Sequence, residues 1–257
     1  MRRVFKKGWR PASVLILLLI LWEGSSRAFD VPEWLLPAPS MIAQEGIAGW
    51  NSYSHHLLST IQLTITGFLI GVSVGLIVAI TLHLIPAVRD AVYPLLILSQ
   101  NIPIIVLAPL LVIWFGFGAL PKLIVIVLVC FFPIAVSAMD GLKQTTPELK
   151  HYMQMAGATQ GQIFRKLEWP HAQPSIFSGL KISATYSVMG AVISEWLGAN
   201  RGIGVYMTLA SSSFRTDRVF VAIFLIMILS LLFFFLINFI ERQLTKWQRK
   251  GAGESYE

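Results

Sequence analysis

The chain has 257 residues, of which 55% are apolar and only 13% charged, and its mean hydropathy is +0.69. A soluble domain of this length cannot hide that much apolar surface in one core, so the composition points to an all-α protein that crosses a membrane several times. The net charge of +7 does not argue for nucleic acid, because the basic residues fall between apolar runs and form no interleaved patch.

In chain order, MRRVFKKGWR opens a basic tail (1–11) ahead of an apolar run over 12–22. No small-residue cleavage site follows cleanly, which predicts a retained first span. Residues 23–50 are mostly polar, with the proline-rich VPEWLLPAPS at their centre and Trp34 and Trp50 placed for a membrane interface. Further spans are expected over 57–84, 91–115, 123–139, 176–197 and 219–240, six in all, with the core spans covering 57–240 of a single membrane domain. Each is near the roughly 20 residues that cross a bilayer.

Small residues mark two of these spans. Gly67, Gly71 and Gly75 recur every fourth residue, a stripe that lets a neighbouring helix approach closely. Gly179, Ser183, Ser187 and Ala191 form a second stripe, whose next step is Glu195. That carboxylate has two readings: a gate or pathway residue, or a partner for Arg201. The third span carries Pro94, Pro103 and Pro109, with Ser99, Gln100 and Asn101 among them. Those polar residues either touch a translocation path or satisfy carbonyls that the prolines free. Cys130 lies alone in an apolar run, so no disulfide framework and no metal cluster is expected. His55 and His56 form an adjacent pair with poor metal geometry, expected to be surface histidines. Residues 198–218 are too polar to span and predict a short re-entrant or interfacial helix on the outer side.

Orientation follows from lysine and arginine. With the N-terminus inside, 15 of these cations, including Arg2, Arg3, Lys6, Lys7, Lys246, Arg249 and Lys250, fall on inner segments and 5 on outer ones. The positive-inside rule then places both termini and the segment 146–170 in the cytoplasm.

That segment, TPELKHYMQMAGATQGQIFRKLEWP, is the longest polar interval in the chain. Thr146 is a fair N-cap, Pro147 suits the first helical position, and Glu148 sits where the helix dipole favours a carboxylate. Gly157 should end this first helix by turning left-handed. A second helix from Thr159 places Ile163, Phe164 and Leu167 on one side, and Pro170 should end it, leaving His171 in the inner loop 141–175. Such a basic amphipathic pair either lies on the bilayer surface or docks into a partner. The chain shows no phosphate loop, no HExxH and no catalytic triad, so energy for active transport would come from another chain or an ion.

The same segment resembles the EAA loop of binding-protein-dependent ABC transporter permeases: E-A-A, three residues, G, nine residues, I-x-L-P. Here His151, Tyr152 and Met153 stand at the E-A-A positions, Gly157 at the glycine, Leu167 at the isoleucine and Trp169-Pro170 at the Leu-Pro. The glycine, the proline and the spacing hold, whereas the glutamate and both alanines are replaced. LPAPS, IPIIVLAPLLVIWFGFGALPK and SEWLGANRGIGVYM are similar to the nitrate, sulfonate and taurine group, and within it to permeases for thiamine-pyrimidine precursors such as hydroxymethylpyrimidine or formylaminopyrimidine. The resemblance implies a type I importer permease of six transmembrane helices with a cytoplasmic coupling loop, acting as a homodimer. It also implies two ATPase subunits that bind ATP and Mg, an extracytoplasmic solute-binding protein, and no cofactor in this chain. Coupling contacts are then expected at His151, Met153, Met155, Gly157, Ile163, Phe164, Leu167 and Pro170, and pathway contacts at Ser99, Gln100, Asn101 and Glu195. A secondary transporter would instead show midplane charge and internal repeats, and a scaffold would have no use for a polar, proline-rich span.

Overall fold

The computed structural model describes residues 2–245, with side chains from Trp9 onward. Its helices are α1 (Arg2–Ala28), α2 (Pro39–Ala48), α3 (Trp50–Leu84), α4 (Pro86–Ser99), α5 (Ile104–Phe115), α6 (Ala119–Lys143), α7 (Pro147–Met155), α8 (Gln160–Ile163), α9 (Trp169–Glu195), α10 (Ile203–Ser212) and α11 (Thr216–Leu244). A π-helical turn, Phe164–Glu168, joins α8 to α9, so Gln160–Glu195 is one continuous helix of 36 residues. Lys246, Arg249 and Lys250, and the side chains of Arg2, Arg3, Lys6 and Lys7, lie outside the described residues.

Among the described residues, five helices are long and apolar enough to cross a membrane, and the α4–α5 pair makes a sixth if counted as one bent span. The expected span 91–115 is therefore not one straight helix. Its two halves meet at 101° across residues 100–103. Pro103 begins the second half and cannot donate back to the Ser99 carbonyl, so the ladder breaks there, whereas Pro94 and Pro109 are carried inside α4 and α5. Within 23–50 the structure adds helical detail: α1 continues to Ala28, and α2 starts at Pro39, whose fixed φ and missing N–H suit a first helical position.

The centre of the bundle is α3, α6 and α9. Lipid is as apolar as leucine, so helices in a membrane associate through close packing and hydrogen bonds. Both glycine-bearing stripes of the sequence supply this by meeting α6. A Cβ placed on Gly67 would lie 2.6 Å from Ile126, one on Gly71 2.7 Å from Cys130, and one on Gly75 2.9 Å from the Phe131 carbonyl. On α9, a Cβ at Gly179 would lie 2.8 Å from the Pro133 carbonyl, and Ser183 donates its hydroxyl to the Cys130 carbonyl at 2.8 Å. Cys130, buried without a disulfide, belongs to this seam. Helix α11 lies against it, with Phe233 edge-on to Phe68 and Glu241 paired to Lys181 of α9 at 3.0 Å.

Gly75→Ala puts a methyl against backbone that cannot yield without parting α3 from α6. Overpacking of this kind typically costs about 1–3 kcal/mol. Thermal unfolding of the full chain in detergent should show a lowered midpoint, while Gly161→Ala, where nothing lies within 4 Å, should leave it in place.

Candidate functional site

At one end of the bundle the chain leaves α6 and folds into a hairpin, α7 followed by α8. Thr146 has extended backbone ahead of Pro147, and Glu148 lies in the first turn of α7. The helix closes in a Schellman motif: Ala158 N–H donates to the Met153 carbonyl and Gly157 N–H to that of Gln154, each at 2.9 Å, with Gly157 at φ +79°. Thr159 then starts α8 with a capping box, exchanging backbone-to-side-chain hydrogen bonds with Gln162. Two turns of chain thus reverse direction with the backbone groups at both helix ends satisfied.

His151, Tyr152 and Met155 face outward on α7, Met155 being 76% exposed, while Met153 is half-buried. Ile163 does not present itself to a partner. It is buried, because α8 runs straight into α9 and its apolar side continues the buried side of that helix toward Ala172 and Ile176. Phe164 is half-buried, its ring 6.1 Å from those of His83 and Trp169, and Leu167 and Pro170 are half-buried beside it. These residues seat the hairpin on the bundle and leave α7 as its outer surface.

Pro170 does not end the helix as expected, and the fifth span starts well before 176. Trp169 N–H donates to the Phe164 carbonyl, five residues back, which makes the π turn. The extra residue shifts the ladder just ahead of the proline, where an ordinary turn would set its ring against a carbonyl. His171 is consequently in α9 and not in a loop. Glu168, in the π turn, is 7% exposed; it pairs with Lys150 of α7 at 2.5 Å and lies 2.8 Å from His83 Nε2 at the end of α3. Sequence reasoning missed this carboxylate, since its partners lie 18 and 85 residues away and no local pattern connects them.

The bend between α4 and α5 opens a cleft of about 410 Å³ lined by Ser99, Gln100 and Pro103, by Phe131 and Phe132 of α6, and by Tyr186 and Met189 of α9. Ser99 and Gln100 thus share one cavity. Ser99 donates its hydroxyl to the Leu96 carbonyl, and Asn101 gives an amide N–H to the Ile97 carbonyl at 2.9 Å, each satisfying backbone beside the break.

Glu195 lies toward the opposite end of the bundle, 1% exposed. Its partners are the Thr60 hydroxyl at 2.7 Å and the Gly204 N–H at 2.8 Å, while Arg201 is exposed. Thr60 also accepts from Ile203 N–H, and His56 Nδ1 accepts from Gly202 N–H. Together His56, Thr60 and Glu195 take up successive N–H groups at the start of α10, which has no side-chain cap of its own. His56 is therefore buried and structural, unlike the exposed His55 that adjoins it. Gly202, at φ +138°, is required here, since a Cβ would fall 2.1 Å from the Glu195 carboxyl carbon. The expected helix within 198–218 is α10 itself.

A multi-span helical bundle with a bent, cleft-forming span and a structured polar hairpin at one end has the build of a membrane transport subunit. Residues 67–246 match the family described as binding-protein-dependent transport system inner membrane component, and the chain belongs to that family. It is a multi-pass type I ABC importer permease, one component of systems that in general include ATPase and solute-binding partners. It is 36% identical to the formylaminopyrimidine transport permease protein ThiX of Halalkalibacterium halodurans, over 93% of this chain and 96% of that protein. It is 30% identical to the riboflavin transport system permease protein RibX of Chloroflexus aurantiacus, over 91% and 88% of the two chains. It is 29% identical to the taurine transport system permease protein TauC of Escherichia coli, over 91% and 87%. A crystal structure of an amino acid ABC transporter with histidines superposes with a TM-score of 0.61 at 18% identity, covering 73% of this chain and 92% of that one, a likeness of fold.

Replacing Glu195 with alanine should leave Gly204 N–H and Thr60 Oγ1 without their shared acceptor. Buried groups stranded in this way cost about 1–3 kcal/mol. Limited proteolysis of the full chain in lipid nanodiscs should then cut within residues 198–203 at least five times faster than in the parent protein.

Proposed function

We propose that this chain is the pore subunit of an ATP-driven importer for a thiamine pyrimidine precursor. Two copies would form the pathway, two cytosolic ATPase subunits would bind ATP and Mg, and an extracytoplasmic binding protein would deliver the solute. Both termini and the α7–α8 hairpin would lie in the cytoplasm, with His151, Met153 and Met155 of α7 meeting the ATPase and Gly157 setting the hairpin angle. Closure of the ATPase dimer would then displace both hairpins and turn the pathway from inward to outward facing. The observation that carries the coupling role is the hairpin, fixed at its turn by the Thr159 capping box and seated by Ile163 and Phe164, with α7 exposed.

For the solute, the supporting observation is the cleft. Its walls carry Phe131, Phe132 and Tyr186 with the Gln100 amide, and no lysine, arginine or histidine. A flat heterocycle can stack on such rings and hydrogen-bond an amide, whereas a sulfonate would leave its charge without a counter-ion. A sulfonate, taurine or nitrate importer is the second reading, favoured by the likeness to the taurine permease.

Reconstitution of the chain with its ATPase and binding protein in proteoliposomes separates these readings. ATP hydrolysis should rise with hydroxymethylpyrimidine or formylaminopyrimidine and not with taurine, alkanesulfonate or nitrate. Uptake without any ATPase would overturn the importer reading. In the same assay Gly157→Val should insert normally yet lose solute-stimulated hydrolysis. A β-branched residue resists φ near +79°, and open space around Gly157 means the change bends the hairpin without a clash.

A further inference from the structure

Beyond the surface that meets a partner, the hairpin needs a joint that passes its displacement into the bundle. Helix α7 is tethered by the short connections 144–146 and 156–159, and tethers of that length can flex. From the middle of α7, Lys150 reaches across to the π turn and pairs with Glu168 at 2.5 Å. The other carboxylate oxygen of Glu168 lies 2.8 Å from Nε2 of His83, in the last turn of α3. One buried carboxylate is therefore shared between α7 and α3, and it rides on the segment where α8 becomes α9.

We propose that Glu168 is the positioning residue that clamps α7 to the ends of α3 and α9, so that the three move as one body when the hairpin is displaced. This rests on the coupling role given to the hairpin above. The geometry favours a clamp over a surface ion pair. The Lys150 and Glu168 side chains are 30% and 10% exposed, and both oxygens are engaged from different elements, so a displacement of α7 pulls against α3 as well as α9. Exposed pairs of this kind contribute little; enclosed, doubly engaged ones hold their geometry. The π turn adds to this, because its widened ladder turns Glu168 inward while the neighbouring Arg165 and Lys166 remain exposed.

Two measurements test the clamp. In proteoliposomes holding the complete complex, Glu168→Ala should lower solute taken up per ATP hydrolysed at least fivefold, with the ATPase still copurifying. The exchanged pair Lys150→Glu with Glu168→Lys should return that ratio to within twofold of the parent, because it restores the ion pair between α7 and the π turn with the charges reversed. An unchanged ratio in Glu168→Ala, or a ratio that stays low in the exchanged pair, would overturn the clamp. The second measurement needs no transport. Spin labels on Met155→Cys and Leu84→Cys, both at exposed positions, report the α7–α3 separation in the full chain, with Cys130 buried from the label. The distance distribution should be narrow in the parent and at least twice as wide in Glu168→Ala, and equal widths would sink the proposal. If the parent complex transports nothing while the distances behave as expected, the proposed solute and coupling reading fails and the clamp stands.

Discussion

Everything in this bundle hangs on how closely α6 is approached from two sides. In lipid there is no apolar driving force to bring helices together, so contact must come from dispersion at short range and from polar groups that meet between backbones. Helix α3 offers Gly67, Gly71 and Gly75 to the branched and sulfur side chains of α6, and α9 offers Gly179 and Ser183 to its carbonyls. The Ser183 hydroxyl on the Cys130 carbonyl fixes the register of α9 along α6 as well as its distance. Once those two seams are set, the ends of α3 and α9 are brought side by side in antiparallel fashion at both faces of the bundle. Each end then carries its own polar cluster: His56, Thr60 and Glu195 at one, His83 and Glu168 at the other.

Those two clusters do different physical work with similar chemistry. At the α10 end, three side chains accept from three consecutive backbone N–H groups, which is what the bare start of a helix requires when it is buried. The carboxylate there faces fixed backbone and is enclosed by glycines that leave no spare volume. At the α7 end the carboxylate faces two side chains, Lys150 on α7, which the chain holds only by short links, and His83 at the end of α3. The first arrangement locks a turn in place, and the second ties a protruding element to the bundle.

Much of this was legible in the residues, and the misses have physical causes. The small-residue stripes read as packing faces because a glycine every fourth residue has one steric meaning in a span. The α7 terminus read correctly from Gly157, since a left-handed residue is what a Schellman motif demands. Pro170 misled, because a proline ends a helix only if the ladder ahead of it is regular, and the π turn at Phe164–Glu168 removes that condition. His56 misled for a different reason. Read with His55 it looks like a surface pair, but read with Thr60 and Thr64 it continues the buried side of α3 that runs on through Gly67, Gly71 and Gly75. Extending the stripe back by whole turns would have found it. Glu168 carried no comparable signal, since its partners come from other helices.

The length of α3 ties these points together. Its 35 residues make a rod of about 52 Å, longer than a hydrocarbon core of about 30 Å. His56 and His83, near the two ends of this rod, each sit among polar partners. This length lets α3 bear on both clusters, with His56 and Thr60 near its start and His83 in its last turn, while the continuous helix Gln160–Glu195 places one carboxylate in each. A rod packed through glycine against α6 along its middle cannot bend there without opening the seam. Tilt imposed through Glu168 on the His83 end is therefore carried to the Thr60 end, where the start of α10 is held by the same helix.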